Sequence, residues 1–136
     1  MSHGHKKLNR HLKMETKKRI LHIDDDSYTL KIVKDILKSY ALDGAQSGKE
    51  GLAKLQKNKY DLILLDIIVS DMSGWDIYRQ IRANGIKTKV AFLSIIECST
   101  ERMKMLKREG LSDYILKPIK PADLKRRVAD ILKQKP

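Results

Sequence analysis

Five times between Lys18 and Lys133 a short apolar run gives way to a stretch whose apolar residues recur at helical spacing, and this alternation restricts the chain to very few folds. The runs are "RILHID", broken only by His22, then "YDLILLD", "KVAFLS" and "DYILKP", with "YALDGAQSG" as the weakest, ending at Ala45 or Gln46. Between them Leu30, Val33, Ile36, Leu37 and Tyr40 share one helical face, and Ser47 with Glu50 forms a capping box ahead of a helix over 49–57. Further helices are predicted over 75–83, 100–109 (closed by Gly110) and 121–133. Strands so apolar need cover on both faces, which parallel strands joined by right-handed helical crossovers provide. The predicted fold class is therefore α/β, a three-layer sandwich around a parallel five-stranded sheet.

A length of 136 residues suits one domain, and 41% hydrophobic with 34% charged residues describes a soluble globular chain. No apolar run approaches the roughly 18 residues of a membrane span. The basic N-terminus lacks the apolar middle of a signal peptide, and the single Cys98 suits a reducing, cytoplasmic setting. Residues 1–19 carry seven Lys or Arg against one acid, a net +6 of the chain's +12. Residues 1–17 are read as a flexible basic arm, a solvated leader first and a nucleic-acid contact second. Residues 18–135 form the folded unit, and no output domain is expected to follow.

Ligands of open parallel sheets bind beyond the carboxyl ends of the strands, where strand order switches sides. At those ends stand Asp24 and Asp25, Asp66, Ser94 and Lys117. Any one of them could be a helix cap or a solvated strand end; polar groups at all four ends point to a site. Two carboxylates about 4 Å apart repel by roughly 4 kcal/mol at an effective dielectric near 20, so such a cluster needs a cation, a proton or open water. Three carboxylates offer hard oxygen ligands for Mg²⁺, while Lys117 and the Ser94 hydroxyl could grip phosphate oxygens. Asp66, at the centre, could itself accept a phosphoryl group as an acyl phosphate. Asp26 is read as a solvated neighbour, His22 as a core residue and Trp75 as a packing residue at a helix start.

The motifs "ILHIDDDS", "YDLILLD", the loop glycine of "SDMSG", "VAFLS" and "YILKPI" stand in the order and spacing of a known family. Over about 18–135 the chain resembles the receiver domain of two-component response regulators. The resemblance implies a flavodoxin-like, doubly wound sheet of order 2-1-3-4-5. It implies phosphoryl transfer to Asp66 from a histidine kinase or phosphotransfer protein, with Mg²⁺ as cofactor. By position, Asp24 and Asp25 are the acidic pair, Asp25 being the direct ligand, and Ile68 offers its backbone carbonyl to the metal alongside Asp66. Ser94 takes the switch-hydroxyl place, Lys117 the phosphate-contacting lysine, Tyr114 the rotating aromatic that turns inward, and Lys117–Pro118 a cis bond.

Such a protein is no enzyme in the turnover sense: it promotes its own phosphorylation and dephosphorylation, then signals to an unknown downstream protein through a changed surface. The alternative is a non-phosphorylated module whose basic surface meets nucleic acid or an acidic partner. Ile95 stands where the family usually has a very small residue, and Ser70 where a proline is common, which should loosen that loop. Ile119 replaces a frequent Phe. Ile68 and Ile96, each two positions after a key residue, are apolar where the family's side chains flank the attacking water, which implies slow self-dephosphorylation.

Overall fold

The computed structural model describes residues 17–135, so the basic arm up to Thr16 lies outside the described residues. Strand and helix alternate as β1 Arg19–Ile23, α1 Ser27–Ile36, β2 Ala41–Ala45, α2 Gly48–Lys57, β3 Leu62–Leu65, α3 Gly74–Ala83, β4 Lys89–Ser94, α4 Thr100–Arg108, β5 Asp113–Leu116 and α5 Pro121–Lys133. All four strand pairings are parallel and the order is 2-1-3-4-5. Among the described residues no helix is long and apolar enough to cross a membrane.

Because side chains alternate across a strand, the apolar runs feed two cores. On one face Leu21, Ile23, Ile63, Leu65 and Phe92 pack with Leu55 of α2, Ile77 and Ile81 of α3 and Leu106 of α4. On the other, Ile20, Leu62, Leu64 and Leu93 meet Val33 of α1 and Leu124, Val128 and Ile131 of α5. Each such side chain contributes about 1.5–3 kcal/mol when buried, which is why the central β3 can be apolar at every position.

Helix starts follow the cap chemistry. Asp26, Ser47, Ser73 and Ser99 each accept a hydrogen bond from an amide in the first turn, and α5 instead begins with Pro121. The capping box at α2 is displaced by one residue: Ser47 accepts from the Glu50 amide, but Glu50 Oε2 accepts from Gln46 N–H rather than Ser47 N–H. Helix α1 also stops before Tyr40, which lies in the turn into β2 and still packs against the α1–α5 core.

The connection after β1 leads to β2 on one side of it, and the connection after β2 leads to β3 on the other. The switch point therefore opens between the carboxyl ends of β1 and β3, where Asp24, Asp25 and Asp66 stand.

Candidate functional site

The ladder continues one residue past the strands and so fixes where the site residues begin. Asp24 N–H donates to Ala45 O at 3.0 Å, Asp66 N–H to Ile23 O at 3.0 Å, and Lys117 N–H to Ser94 O at 2.9 Å. The Lys117 side chain spans the gap between the two central strands: its Nζ lies 2.9 Å from Asp24 Oδ2 and 3.0 Å from Asp66 Oδ2. The second oxygen of each acid is also held, Asp24 Oδ1 by the Asp26 amide at 3.0 Å and Asp66 Oδ1 by the Ile68 amide at 3.2 Å. Lys117 thus relieves much of the repulsion among the acids that the sequence left to a divalent cation.

Electrostatics follow from that geometry. Burial works to raise the Asp24 pKa, but the His22 imidazole, the Asp26 amide and the Lys117 ammonium outweigh it and hold the carboxyl at about 2. Burial would lower the Lys117 pKa, and its hydrogen bonds to Asp24 and Asp66 raise it instead. Asp24 and the lysine are charged at neutral pH. Asp25 is exposed and makes no side-chain hydrogen bond or ion pair among the described residues. The Ile68 carbonyl likewise accepts no hydrogen bond from the described backbone.

Those two groups, together with Asp66, are hard oxygen donors just past the paired ends of β1 and β3. No three acid, His or Cys side chains converge as a ready-made metal cluster among the described residues. The donor set nevertheless fits Mg²⁺, which takes one or two carboxylates and keeps several waters. Asp26, by contrast, caps α1: it accepts from Tyr28 N–H at 3.3 Å and from Thr29 Oγ1 at 2.6 Å.

Ser94 is wholly buried at the end of β4, and its Oγ accepts from Ile96 N–H at 3.4 Å. The Tyr114 hydroxyl donates to the carbonyl of the same Ile96, while its ring packs on Phe92 at 5.8 Å. Tyr114 is 2% exposed, so the ring occupies the inward position in this structure. An inward turn is therefore unavailable as a change from this structure, because the Ile96 carbonyl and Phe92 already hold the ring. Burial raises the phenol pKa. The Ile96 peptide, which joins the hydroxyl to the aromatic, was not visible to sequence reasoning because its contacts are backbone contacts.

Two further features were missed. Asp71 accepts from the Gly48 and Lys49 amides at 2.8 and 2.9 Å, pinning the loop after β3 onto the start of α2 and countering the looseness expected from Ser70. Gly74 sits so close to the site that a Cβ there would stand 2.2 Å from the Asp66 carbonyl oxygen. Ile68, two residues past the buried Asp66, and Ile95 and Ile96, directly past Ser94, are exposed, so the loops that carry the site present an apolar rim. The Lys117–Pro118 bond is cis.

Comparison with known proteins agrees with this arrangement. A family model for the response regulator receiver domain matches residues 20–129. The transcriptional regulatory protein PcoR of Escherichia coli is 31% identical over 118 residues, covering 85% of this chain and 52% of PcoR. The chain thus spans about half the length of that relative. A CheY-like receiver domain protein from Methanospirillum hungatei JF-1 superposes with a TM-score of 0.75 at 30% identity, over 86% of this chain and 94% of the other. TrrA of Thermotoga maritima, solved in complex with Mg²⁺-BeF, gives a TM-score of 0.71 at 28% identity, over 84% and 98%. With the sheet order, the buried acid and lysine, and these likenesses together, the chain belongs to the response regulator receiver domain family.

Proposed function

We propose that the chain accepts a phosphoryl group on Asp66 from the phosphohistidine of a cytoplasmic histidine kinase or phosphotransfer protein, with Mg²⁺, and signals to a downstream protein by a change of surface. The observation that carries this reading is the single Lys117 ammonium between Asp24 and Asp66 at the strand switch point. An Asp66 oxygen attacks phosphorus, an acyl phosphate forms, and the P–N bond breaks with its electron pair returning to the donor imidazole. Lys117, already within reach, exchanges its Asp66 oxygen for a phosphoryl oxygen and neutralises charge as it builds. Asp25, Asp66 and the Ile68 carbonyl, backed by Asp24, would hold magnesium, whose positive charge would offset the negative charge of the phosphoryl oxygens.

Ser94 supplies the switch hydroxyl. Its Oγ is tied to the Ile96 amide and Tyr114 to the Ile96 carbonyl, so a shift of Ser94 toward the phosphoryl group is passed to Tyr114 through one residue. The face made by α4, β5 and α5 then repacks, a two-state element biased by a covalent group. Incubation with a small phosphodonor and Mg²⁺, followed by intact mass measurement, should add one phosphate to the parent and none to Asp66→Asn. A persisting addition in the variant would move the acceptor elsewhere.

A further inference from the structure

Cations gather at the end of the sheet away from the site. Because the strands are parallel, their amino ends share one pole, and a strand of four to six residues at about 3.3 Å each puts that pole about 13–20 Å from the carboxyl ends. Two adjoining grooves meet there at Lys87 and Lys89. Lys18 stands in one of them, and Arg82, Lys107 and Lys135 stand in the other. Among the described residues the only acid lining either groove is Asp61, which also accepts from Arg19 N–H at 2.8 Å. The basic arm joins the fold at this same pole: residues 1–17 hold five Lys or Arg against one acid, and Lys18 follows directly.

A basic last turn is ordinarily accounted for by the helix dipole, and Arg82 and Lys107 fit that account. Lys18, Lys87 and Lys89 do not, since they stand at strand starts. Backbone carbonyls, which carry no compensating charge, fix two of the cations. Arg82 Nη1 donates to Ile86 O at 2.9 Å and Thr88 O at 2.8 Å, and Lys89 Nζ donates to Ile131 O at 2.9 Å and to Gln134 O. Of the groove cations, Lys18 pairs with Asp61 at 3.9 Å and Lys107 with Asp113 at 3.8 Å; the other four make no ion pair among the described residues. The grooves therefore hold a surplus of positive charge that the fold itself does not neutralise.

The side chains present select among polyanions. Protein interfaces are depleted in Lys and anchored by exposed aromatic residues, whereas the one aromatic here, Tyr60, is buried and gives its hydroxyl to Asp43. Its burial also leaves no platform on which single-stranded bases could stack. None of the large exposed apolar side chains lines these grooves, so nothing there enters a bilayer. A duplex, with one negative charge per about 1.7 Å of axis, matches a groove of lysines followed by a basic arm. The acids at the other pole repel it from the phosphorylation site. We propose that the grooves at the amino ends of the strands bind the phosphate backbone of double-stranded DNA without reading its sequence, the arm adding contacts and the Asp66 pole staying free.

Fluorescence anisotropy of the full chain with a labelled duplex of arbitrary sequence tests this, and it needs no phosphodonor. Affinity should fall about 100-fold between about 50 and 200 mM salt, as roughly four phosphate contacts require. Lys87→Glu with Lys135→Glu, both exposed, should bind at least about tenfold more weakly. Lys31→Glu with Lys34→Glu makes the same charge change on exposed α1 positions outside the grooves and should stay within about threefold of the parent. Equal losses in the two double variants would reduce the attraction to net charge and overturn the groove, as would parental affinity in the first. Titrating the parent with duplex should shift the amide signals of Thr88, Lys89 and Ser112 and leave those of Asp24 and Asp66 in place; the reverse pattern overturns the proposal even if a variant fails to fold. Phosphatidylglycerol vesicles or poly-glutamate binding as tightly as the duplex would overturn DNA as the occupant.

Discussion

At neutral pH one ammonium holds both Asp24 and Asp66, so each carboxylate's behaviour depends on where Lys117 points. The Asp24 pKa is depressed in the folded protein, from 3.8 to about 2. A depressed carboxyl contributes stability that is complete above its unfolded pKa and is lost as pH falls through the folded one, here between about pH 4 and pH 2. The contribution is about 2 kcal/mol. Lys117, with its raised pKa, contributes fully throughout that window and titrates only on the alkaline side. In Asp24→Asn the fall in stability from pH 4 to pH 2 should therefore be shallower than in the parent, measured by urea unfolding across a pH series. Parallel curves for the two proteins would assign the acid limb to other groups. The rim makes a second prediction at this scale. Ile68 and Ile96 cannot accept a hydrogen bond from an attacking water, and their side chains are 48% and 39% exposed beside the site. Acyl-phosphate decay, followed by mass, should be faster in Ile68→Asn or Ile96→Glu than in the parent, by roughly tenfold if water placement limits the rate. Parental or slower decay in both would remove the isoleucines as the barrier.

Helix α3 begins against the backbone that carries Asp66. Gly74 N–H donates to Ile67 O at 2.7 Å, and a Cβ at Gly74 would meet Asp66 O at 2.2 Å and Ile67 Cα at 2.6 Å. These are backbone atoms, which cannot rotate aside as a side chain can. Gly74→Ala should cost about 3 kcal/mol and slow phosphorylation, because α3 and the Asp66 loop must separate. Gly85, with φ +78 and open space around it, is the contrast: Gly85→Ala should cost about 1–2 kcal/mol for the backbone alone and leave phosphorylation unchanged. Thermal melts and phosphorylation rates of the two variants distinguish a steric requirement at the site from a general preference for glycine.

For the molecule as a whole, sheet bonding starts at Lys18, whose carbonyl accepts from Ala41 N–H at 2.9 Å. The two cores that flank the sheet draw on residues from Ile20 onward. Deleting residues 1–17 should therefore leave the melting temperature within about 2 °C and phosphorylation of Asp66 at the parental rate, since roughly 4 °C accompanies each kcal/mol in a domain of this size. A large fall in either would make the basic arm part of the fold.

The alternation of apolar runs with helical faces was enough for the α/β class, because burial on two faces of a strand and one face of a helix leaves different periodicities in the chain. That Asp24, Asp66 and Lys117 meet was legible as well, since they fall at strand ends that must converge. Caps were nearly so: Ser47 was readable from its spacing, but which amide Glu50 takes depended on the turn before it. What only tertiary structure decided is who holds whom. Lys117 lies 93 residues from Asp24 and 51 from Asp66, and no local pattern encodes that one ammonium serves both. The inward Tyr114 and the Asp71 anchor belong to the same class. Each depends on a distance between segments that come together only after the sheet has formed, and hydrogen bonding and carboxylate charge are decided by such distances to within a fraction of an ångström.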